Sequence, residues 1–447
     1  MTPDRRVVRR TRDPLILRGA DPHMSTSREN LTESVAMTAA ETDTTAAARL
    51  AADAQPGKTP RGLRNMLSLE DFEPAARRFL PRPIFGYISG GVETDASMRA
   101  NRAMFQEHHF VPRILVNTRG RTQKRTLLGQ AYDLPFGFAP MGGMALAAYD
   151  GDAVFARTAA ALNIPMIQSG ASLITLERLR QVGPTAWFQA YLPGDAAIIT
   201  PLIERAQRAG FGTLVLTVDV QVAANRENNV RTGYSSPLKP TLRLGWDGAV
   251  RPRWLFGTFL RTLMNHGMPH LENMGFERTP VLSGTLERPQ TARDGLNWEH
   301  LELMRRLWKG KLVLKGVLAR EDVRIARESG VDGIMVSNHG GRQLDGAVAP
   351  LRMLPGAVAE AGGMAIMMDS GIRRGTDVLK ALALGADFVF IGRPFLYAAA
   401  IGGEPGVRHA VKLLREEIDR NMAMLGISGL DQMKREMLVP STGPIPA

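Results

Sequence analysis

The sequence predicts an α/β protein built as a (β/α)₈ TIM barrel, with an insertion after strand 4 and a disordered N-terminal tail. Eight apolar runs of strand length alternate with helical stretches, the order expected for a closed parallel barrel. Most runs are near-continuous in Val, Ile, Leu, Met or Phe, as in parallel strands buried on both faces. An open doubly wound sheet is the alternative on pattern alone. The eight runs are Leu134–Met141, Ile164–Ser169, Thr185–Tyr191, Thr213–Asp219, Lys311–Gly316, Gly333–Asn338, Met364–Ser370 and Phe388–Arg393.

Helical stretches follow most of these runs, and several end at a glycine, where a helix can terminate. They cover residues 150–162, 172–182, 195–209, 320–329 and 375–384. A further helix is predicted at Trp298–Lys309, ahead of the fifth run. Ahead of the barrel, residues 68–90 predict two short helices, with Ser68 as the first N-cap.

The chain divides into three parts by composition. Residues 1–65 contain no Phe, Trp or Tyr and are predicted to be a disordered tail. Residues 66–430 form the barrel, and residues 431–447 are predicted to be a C-terminal tail. The insertion, about 234–296, carries arginines beside tryptophans such as Trp246 and Trp254. That mixture suits a membrane interface as well as a loop folded over the active site, and both interpretations stay open.

Composition excludes several classes of function. The 447 residues include no cysteine, which excludes disulfide scaffolds, thiolate metal sites and cysteine nucleophiles. The net charge of +12 favours acidic substrates and anionic surfaces. Aromatic residues are only 6% and are not interleaved with basic runs, so no nucleic-acid partner is expected. No histidine spacing suggests a metal site. No apolar run approaches about 18 residues, so we expect a cytoplasmic protein, with peripheral contact to the inner face of the membrane left open.

Polar residues follow the predicted strands, where barrel enzymes place their catalytic groups. His339 lies beside two glycines that allow a tight turn, and Arg342 follows three residues later. Asp219, at another strand end, could orient the imidazole and stabilise its protonated form. Lys315 needs an anionic partner if it is buried; a Schiff-base lysine is the competing interpretation.

Two glycine–arginine turns follow the seventh and eighth strands, at Gly371–Arg374 and Gly392–Arg393. Barrels commonly bind phosphate at this position, since backbone N–H groups and arginine forks both suit a phosphate.

The stretch Gly333–Asp345 resembles the active-site signature of the FMN-dependent L-2-hydroxy-acid oxidase and dehydrogenase family. The resemblance covers about residues 66–430 and includes Tyr87–Gly91. It implies an FMN enzyme that oxidises an L-2-hydroxy acid, lactate- or mandelate-like, to the 2-oxo acid. It further implies a quinone, a protein or O₂ as the electron acceptor, and a homo-oligomer, a tetramer by family analogy.

The resemblance also implies roles for individual residues. His339 corresponds to the base, Asp219 to its carboxylate partner, and Tyr191 to the tyrosine beside the substrate hydroxyl. Arg342 corresponds to the main anchor of the substrate carboxylate. Three further positions correspond to substrate contacts: Tyr87, Ala171 and Arg226.

For the flavin, Lys315 corresponds to the lysine that faces the N1/O2 edge of the ring. The backbone beside the ring corresponds to Pro140, Met141 and Gly142. Polar contacts to the ring correspond to Ser169, Gln189 and Thr217. The ribityl and phosphate binders correspond to Asp369, Gly371, Arg373, Gly392 and Arg393.

The sequence departs from the family pattern at several positions. Ala171 stands where glycolate oxidase has a bulky tryptophan, which should open the pocket for a larger substrate. At position 142 this chain has glycine, as the dehydrogenase members do, where several oxidases carry alanine. Ser370 stands where the family usually has glycine, and Ala223–Asn225 make the loop after strand four atypical. The unusual loop leaves a second hypothesis: FMN-dependent oxidation of a specialised biosynthetic intermediate, peptide-derived or a natural product. A third, a basic barrel that only binds nucleic acid or membrane, would leave the polar mouth unexplained.

Overall fold

The computed structural model describes residues 60–274, 278–286 and 293–442. Most of the predicted N-terminal tail, residues 1–59, therefore lies outside the described residues. Within the remainder of that tail, a short 3₁₀ helix at Arg61–Leu63 places Leu63 in the core.

Eight parallel strands form the central sheet and close into a barrel. The strands are β1 Phe136–Phe138, β2 Ile167–Ser169, β3 Trp187–Ala190, β4 Thr213–Thr217, β5 Lys311–Val317, β6 Gly333–Val336, β7 Ala365–Met368 and β8 Phe388–Ile391. In the sheet, β1 pairs with β8, and each strand then pairs with the preceding one down to β2, while a bridge between Phe138 and Met166 joins β1 to β2. The closure confirms the predicted (β/α)₈ barrel over the open sheet, which would leave two unpaired edges.

The inside of the barrel is filled by side chains, so it is not a channel. One face of the strands contributes a separate apolar cluster made of Ile167, Trp187, Val215, Val313, Met335, Met367, Phe388 and Phe390. A hairpin, Arg125–Leu127 with Gln130–Tyr132, adds Leu127 and Tyr132 to the same cluster. The ring of Tyr132 packs edge-on to Phe388, with centroids 5.7 Å apart. Ligands therefore reach the barrel from its C-terminal end.

The predicted barrel helices are present within a few residues of their expected ends. They span Gly151–Ala161, Leu176–Val182, Ala196–Arg208, Trp298–Leu307, Arg320–Glu328 and Gly375–Ala383. Two more helices complete the outer ring, Pro350–Glu360 and Arg393–Leu425, the second kinked at Gly403. The helix Pro350–Glu360 was not predicted from the sequence, because Pro355 and Gly356 inside it weaken the helical pattern.

The two predicted N-terminal helices are Phe72–Phe79 and Arg82–Ser89, and a third spans Ala96–Ala103. At the predicted cap, the carboxylate of Asp71 accepts hydrogen bonds from the N–H groups of Leu67 and Ser68. The second helix ends at Gly90, and its last turn places Tyr87 at the mouth of the barrel.

The predicted insertion after strand 4 is present and has two parts. Its ends, including Tyr234 and Val281, line the barrel mouth. Its middle forms helices at Leu242–Ala249, Pro252–Trp254, Leu255–Leu260 and Arg261–His266. Trp254 is buried and donates a 2.8 Å hydrogen bond to the carbonyl of Leu146, whereas Trp246 is exposed.

The segment predicted as a C-terminal tail contains a short strand. This strand, Leu438–Pro440, pairs antiparallel with His108–Phe110.

In the ranges that the structure describes, no helix is both long enough and apolar enough to cross a membrane.

Candidate active site

A cavity of about 810 Å³ opens at the C-terminal ends of the strands. Most of the predicted site residues line it: Tyr87, Pro140, Met141, Gly142, Ala171, Tyr191, Arg226, His339, Arg342, Asp369, Gly371, Arg373, Gly392 and Arg393. The other five do not line it; four are buried strand-end residues, Ser169, Gln189, Thr217 and Lys315, and the fifth, Asp219, contacts His339.

His339 lies in a tight turn directly after β6. It shares left-handed backbone angles with Gly340 and Gly341, with φ of 57°, 68° and 73°. Its N–H donates to the hydroxyl of Ser337 at 3.0 Å. A non-glycine residue in this conformation is unfavourable unless its surroundings hold it there. The turn therefore aims the imidazole into the cavity.

The imidazole of His339 is paired with a carboxylate from another strand end. Its Nδ1 lies 2.8 Å from Oδ1 of Asp219, and its Nε2 lies 3.5 Å from the hydroxyl of Tyr191. Because Nδ1–H donates to the carboxylate, Nε2 remains an acceptor. Burial lowers the pKa of His339 below its ordinary value, although Asp219 opposes the shift. The ring is therefore neutral near pH 7 and able to accept a proton.

Asp219 is held as an anion. Burial alone would raise its pKa, but the nearby His339 and Lys315 outweigh that and leave the pKa below its ordinary value. The chain makes room for this carboxylate with Gly316, whose φ is 104°; a Cβ there would lie 2.6 Å from the side chain of Asp219.

Lys315 is 3% exposed at the end of β5. Its Nζ lies 3.1 Å from Oδ2 of Asp369 and donates to the hydroxyl of Ser337 at 2.8 Å. Burial alone would lower the pKa of Lys315, but Asp369 and Asp219 together hold it above its ordinary value. A protonated amine is no nucleophile, which argues against the Schiff-base interpretation.

Arg342 is fixed by the N-terminal segment. Its Nη1 donates to the carbonyls of Tyr87 and Gly90, each at 2.7 Å. Its guanidinium carbon lies 5.0 Å from the centre of the Tyr87 ring, which in turn stacks on Tyr234 with centroids 4.3 Å apart. The arginine is thereby oriented without using an acidic partner.

Positive charge exceeds negative charge on the described cavity wall. Two carboxylates line it, Asp294 and Asp369, and Asp369 is already paired with Lys315. Five arginines line it: Arg226, Arg293, Arg342, Arg373 and Arg393. Burial lowers the pKa of Arg393 to about 10, because the cavity wall gives this cation little access to water. Such a cavity suits ligands with more than one anionic group.

The strand ends beneath the cavity fit a flavin. Within the described residues, Nε2 of Gln189 and Oγ1 of Thr217 are buried without a hydrogen-bond partner. Ser169 donates to Oε1 of Gln189 at 3.1 Å, so Nε2 is left to face a ligand. Unpaired buried polar groups are costly, and a polar planar ring would satisfy them. The cation of Lys315 suits the edge of that ring where negative charge collects on reduction.

The small residues at the mouth have a packing reason. A Cβ on Gly142 would lie 2.9 Å from Cβ of Ala171 and 3.3 Å from the hydroxyl of Tyr87. A side chain there would push these residues apart or occupy the space between them.

The atypical loop after β4 is tied to the rest of the site. Arg226 donates through Nε to the carbonyl of Arg342 at 3.1 Å, and through Nη2 to the side chain of Gln343. Asn228 donates to the carbonyl of Gly86 at 2.8 Å. The loop therefore braces the turn that carries Arg342.

Sequence reasoning missed three residues. Ser337 lies inside the signature stretch at the end of the sixth predicted strand. That strand follows the one that carries Lys315, and this was a usable signal. Tyr234 and Arg293 come from the two ends of the insertion; Arg293 lies 5.2 Å from the ring of Tyr191. No local pattern marks either residue, because the fold of the insertion brings them to the mouth.

A closed parallel barrel whose mouth can hold a flavin places the chain in the class of FMN-dependent TIM-barrel oxidoreductases. The comparison with known families agrees. The FMN-dependent dehydrogenase family matches residues 76–440, and the chain belongs to this family.

Its similarity to individual relatives spans most of each chain. It is 36% identical over 389 residues to an (S)-mandelate dehydrogenase from Pseudomonas putida, covering 85% of this chain and 97% of the relative. It is 37% identical over 376 residues to an L-lactate oxidase from Lysinibacillus sphaericus, covering 83% and 92%. Among solved structures, the monotopic membrane protein (S)-mandelate dehydrogenase superposes with a TM-score of 0.77 at 34% identity, covering 84% of this chain and all of that one.

Proposed function

We propose that the protein oxidises an L-2-hydroxy acid with a lactate- or mandelate-like side chain to the 2-oxo acid, with His339 as the base. The observation that carries the proposal is the His339–Asp219 pair, 2.8 Å apart, on the same cavity as Arg342. Similar relatives named for mandelate and lactate support the substrate class. FMN, when bound, supplies the two-electron acceptor.

The substrate would be held at its two polar ends. Arg342 binds the carboxylate, with Tyr87 and Arg226 beside it, and this fixes which face of the α-carbon meets the flavin. The substrate loses two electrons and two protons on oxidation. Nε2 of His339 would accept one proton, the two electrons and the other proton would pass to FMN, and Asp219 would stabilise the resulting imidazolium. Tyr191, whose hydroxyl lies 3.5 Å from Nε2, contacts the substrate hydroxyl.

The flavin would be held by the predicted residues. Lys315 would offset negative charge on the ring, the backbone of Pro140–Gly142 would lie beside the ring, and Ser169, Gln189 and Thr217 would provide polar contacts. The ribityl chain and phosphate would be bound by Asp369, Gly371, Arg373, Gly392 and Arg393. The excess of cavity arginines supports the phosphate position.

The side-chain pocket supports a substrate larger than glycolate. Ala171 contributes only a methyl group to the cavity wall beside Tyr87, and apolar residues such as Leu173 and Val220 continue the wall. The loop Gln221–Asn225 also lines the cavity, which keeps the specialised biosynthetic intermediate as the second candidate.

An anaerobic visible spectrum tests the proposal. We expect purified protein to be yellow, to bleach with L-mandelate or L-lactate, and to be unaffected by the D-enantiomer. The rate of recolouring on admission of air then separates an oxidase from a dehydrogenase that needs a quinone or a protein acceptor. A yellow protein that bleaches with neither acid would favour the specialised intermediate, and a protein unable to bind FMN would refute both candidates.

We also propose that the insertion contacts an anionic membrane surface. Four apolar side chains in its helices are exposed, Leu242 (97%), Trp246 (69%), Phe256 (65%) and Met264 (78%). Exposed arginines accompany them at positions 243, 253 and 261, and Arg251 lines a second cavity together with Arg77, Arg78 and Arg82. Apolar side chains among cations suit the headgroup region of a bilayer.

Replacing Leu242, Phe256 and Met264 together by Asp is expected to abolish sedimentation with phosphatidylglycerol vesicles while hydroxy-acid oxidation is retained. Binding of the unmodified protein should weaken as salt rises, because part of the attraction is electrostatic. The matched control is Ile114→Asp, an exposed apolar residue (82%) outside the insertion. Unchanged sedimentation of the triple variant would refute the contact.

A further inference from the structure

Ser370 adopts a backbone conformation that its residue type disfavours. It follows Asp369 at the end of β7 with φ of 80°, in the left-handed region that glycine occupies readily. A serine persists at such a position only where its surroundings over-determine it.

The hydroxyl of Ser370 provides that determination, because it bridges two parts of the site. It accepts a hydrogen bond from the N–H of Gly340 at 3.0 Å and donates to Oδ1 of Asp369 at 2.8 Å. Gly340 directly follows the base His339, and the other oxygen of Asp369 pairs with Lys315 at 3.1 Å. The side chain of Ser370 thus contacts both the turn that carries His339 and the carboxylate of Asp369, which pairs with Lys315.

These bonds close a ring. Lys315 donates to Ser337 at 2.8 Å, and Ser337 accepts from the N–H of His339 at 3.0 Å. The path runs from Lys315 through Asp369 and Ser370 to Gly340 and His339, and returns through Ser337. Two serine hydroxyls therefore satisfy successive N–H groups of the strained turn, one from Ser337 directly after β6 and one from Ser370 after β7.

We propose that Ser370 is a positioning residue, which locks the His339 turn to the Lys315–Asp369 pair and so fixes the base relative to the flavin-side cation. Without its hydroxyl, the N–H of Gly340 loses its acceptor. The contacts of the turn with Ser337, Asn338 and Arg393 remain, but none of them ties it to Asp369. The base would then sample orientations in which Nε2 is not aimed at the substrate, which lowers the rate more than the affinity.

Ser370→Gly tests this cleanly, because glycine relieves the backbone while removing the hydroxyl. We expect kcat for hydroxy-acid oxidation to fall about tenfold with KM changed less than twofold. In hydrogen–deuterium exchange of the FMN-free protein, the peptide spanning residues 334–345 should exchange about tenfold faster. Ser370→Ala should show the same loss of kcat with a lower melting temperature, since it keeps the backbone strain.

The matched control is Asn163→Gly, which relieves an equally left-handed residue (φ 46°) ahead of β2, at the opposite end of the barrel. It should leave kcat and the exchange of residues 334–345 unchanged. If Ser370→Gly behaves like this control, the serine has no positioning role. The kinetic measurement rests on the proposed function, but the exchange measurement does not. Faster exchange of residues 334–345 in a protein that oxidises no hydroxy acid would refute the proposed function and support the positioning role of Ser370.

Discussion

Replacing His339 by Asn is expected to lower kcat by about 10²- to 10⁴-fold, the contribution typical of a positioned general base. The amide cannot accept the proton that Nε2 takes, while none of the predicted flavin contacts is lost. Stopped-flow bleaching of the flavin under anaerobic conditions measures this step directly. His109→Asn, at an exposed position in the strand His108–Phe110, is the matched control and should be unchanged. A His339→Asn variant that bleaches at the normal rate would remove His339 from the mechanism.

The pH dependence of kcat/KM provides a second check on the same pair. Because burial holds the pKa of His339 below its ordinary value of 6.5, activity should be level above that pH and fall as the ring protonates at lower pH. Asp219 raises the pKa of His339, so Asp219→Asn should move the acid limb to still lower pH while reducing kcat. An acid limb that moves to higher pH would contradict the assigned pair.

Arg342→Met is the second change with a large expected effect. Truncating one partner of a buried charge pair typically costs about 2–5 kcal/mol, so we expect kcat/KM for the hydroxy acid to fall by about 30- to 5,000-fold. The loss combines weaker binding of the carboxylate with poorer alignment of the α-carbon. Steady-state kinetics on the purified, FMN-loaded variant measure it.

A neutral substrate separates anchoring from folding. The methyl ester of the same hydroxy acid has no carboxylate for Arg342 to bind, so the variant should lose far less activity on the ester than on the acid. Arg420→Met, on the exposed face of the helix Arg393–Leu425, is the control for removal of an arginine. Equal losses on acid and ester would show that Arg342 supports the fold rather than the carboxylate.

Local pattern was enough to predict the barrel because parallel strands buried on both faces leave long apolar runs. Lys311–Val317 and Thr213–Thr217 were placed within two residues of their observed ends for this reason. The helix Pro350–Glu360 was missed because tertiary packing of Leu351 and Leu354 overrides its weak local propensity. Packing depends on residues that are distant in the sequence, so it cannot be recognised in a short stretch of sequence.

The meeting of the candidate catalytic groups could be predicted because a barrel collects the ends of its strands at one mouth. Asp219 and His339 are 120 residues apart, yet β4, β5 and β6 are adjacent in the sheet, so their ends meet. Strand order follows chain order here, which turns positions in the sequence into neighbours in space. The resemblance to a known family then suggested which end groups carry which role.

The sequence by itself therefore determined the class of barrel, the residues at its mouth, and the excess of cations that selects anionic ligands. Only the tertiary structure decided that Trp254 is buried while Trp246 is exposed, that Tyr234 stacks on Tyr87, and that Ser370 bridges β7 to the turn of the base. The physical reason is range. Hydrophobic periodicity and strand-end chemistry are written along the chain, whereas burial, stacking and hydrogen-bond closure depend on which distant segments the fold brings into contact.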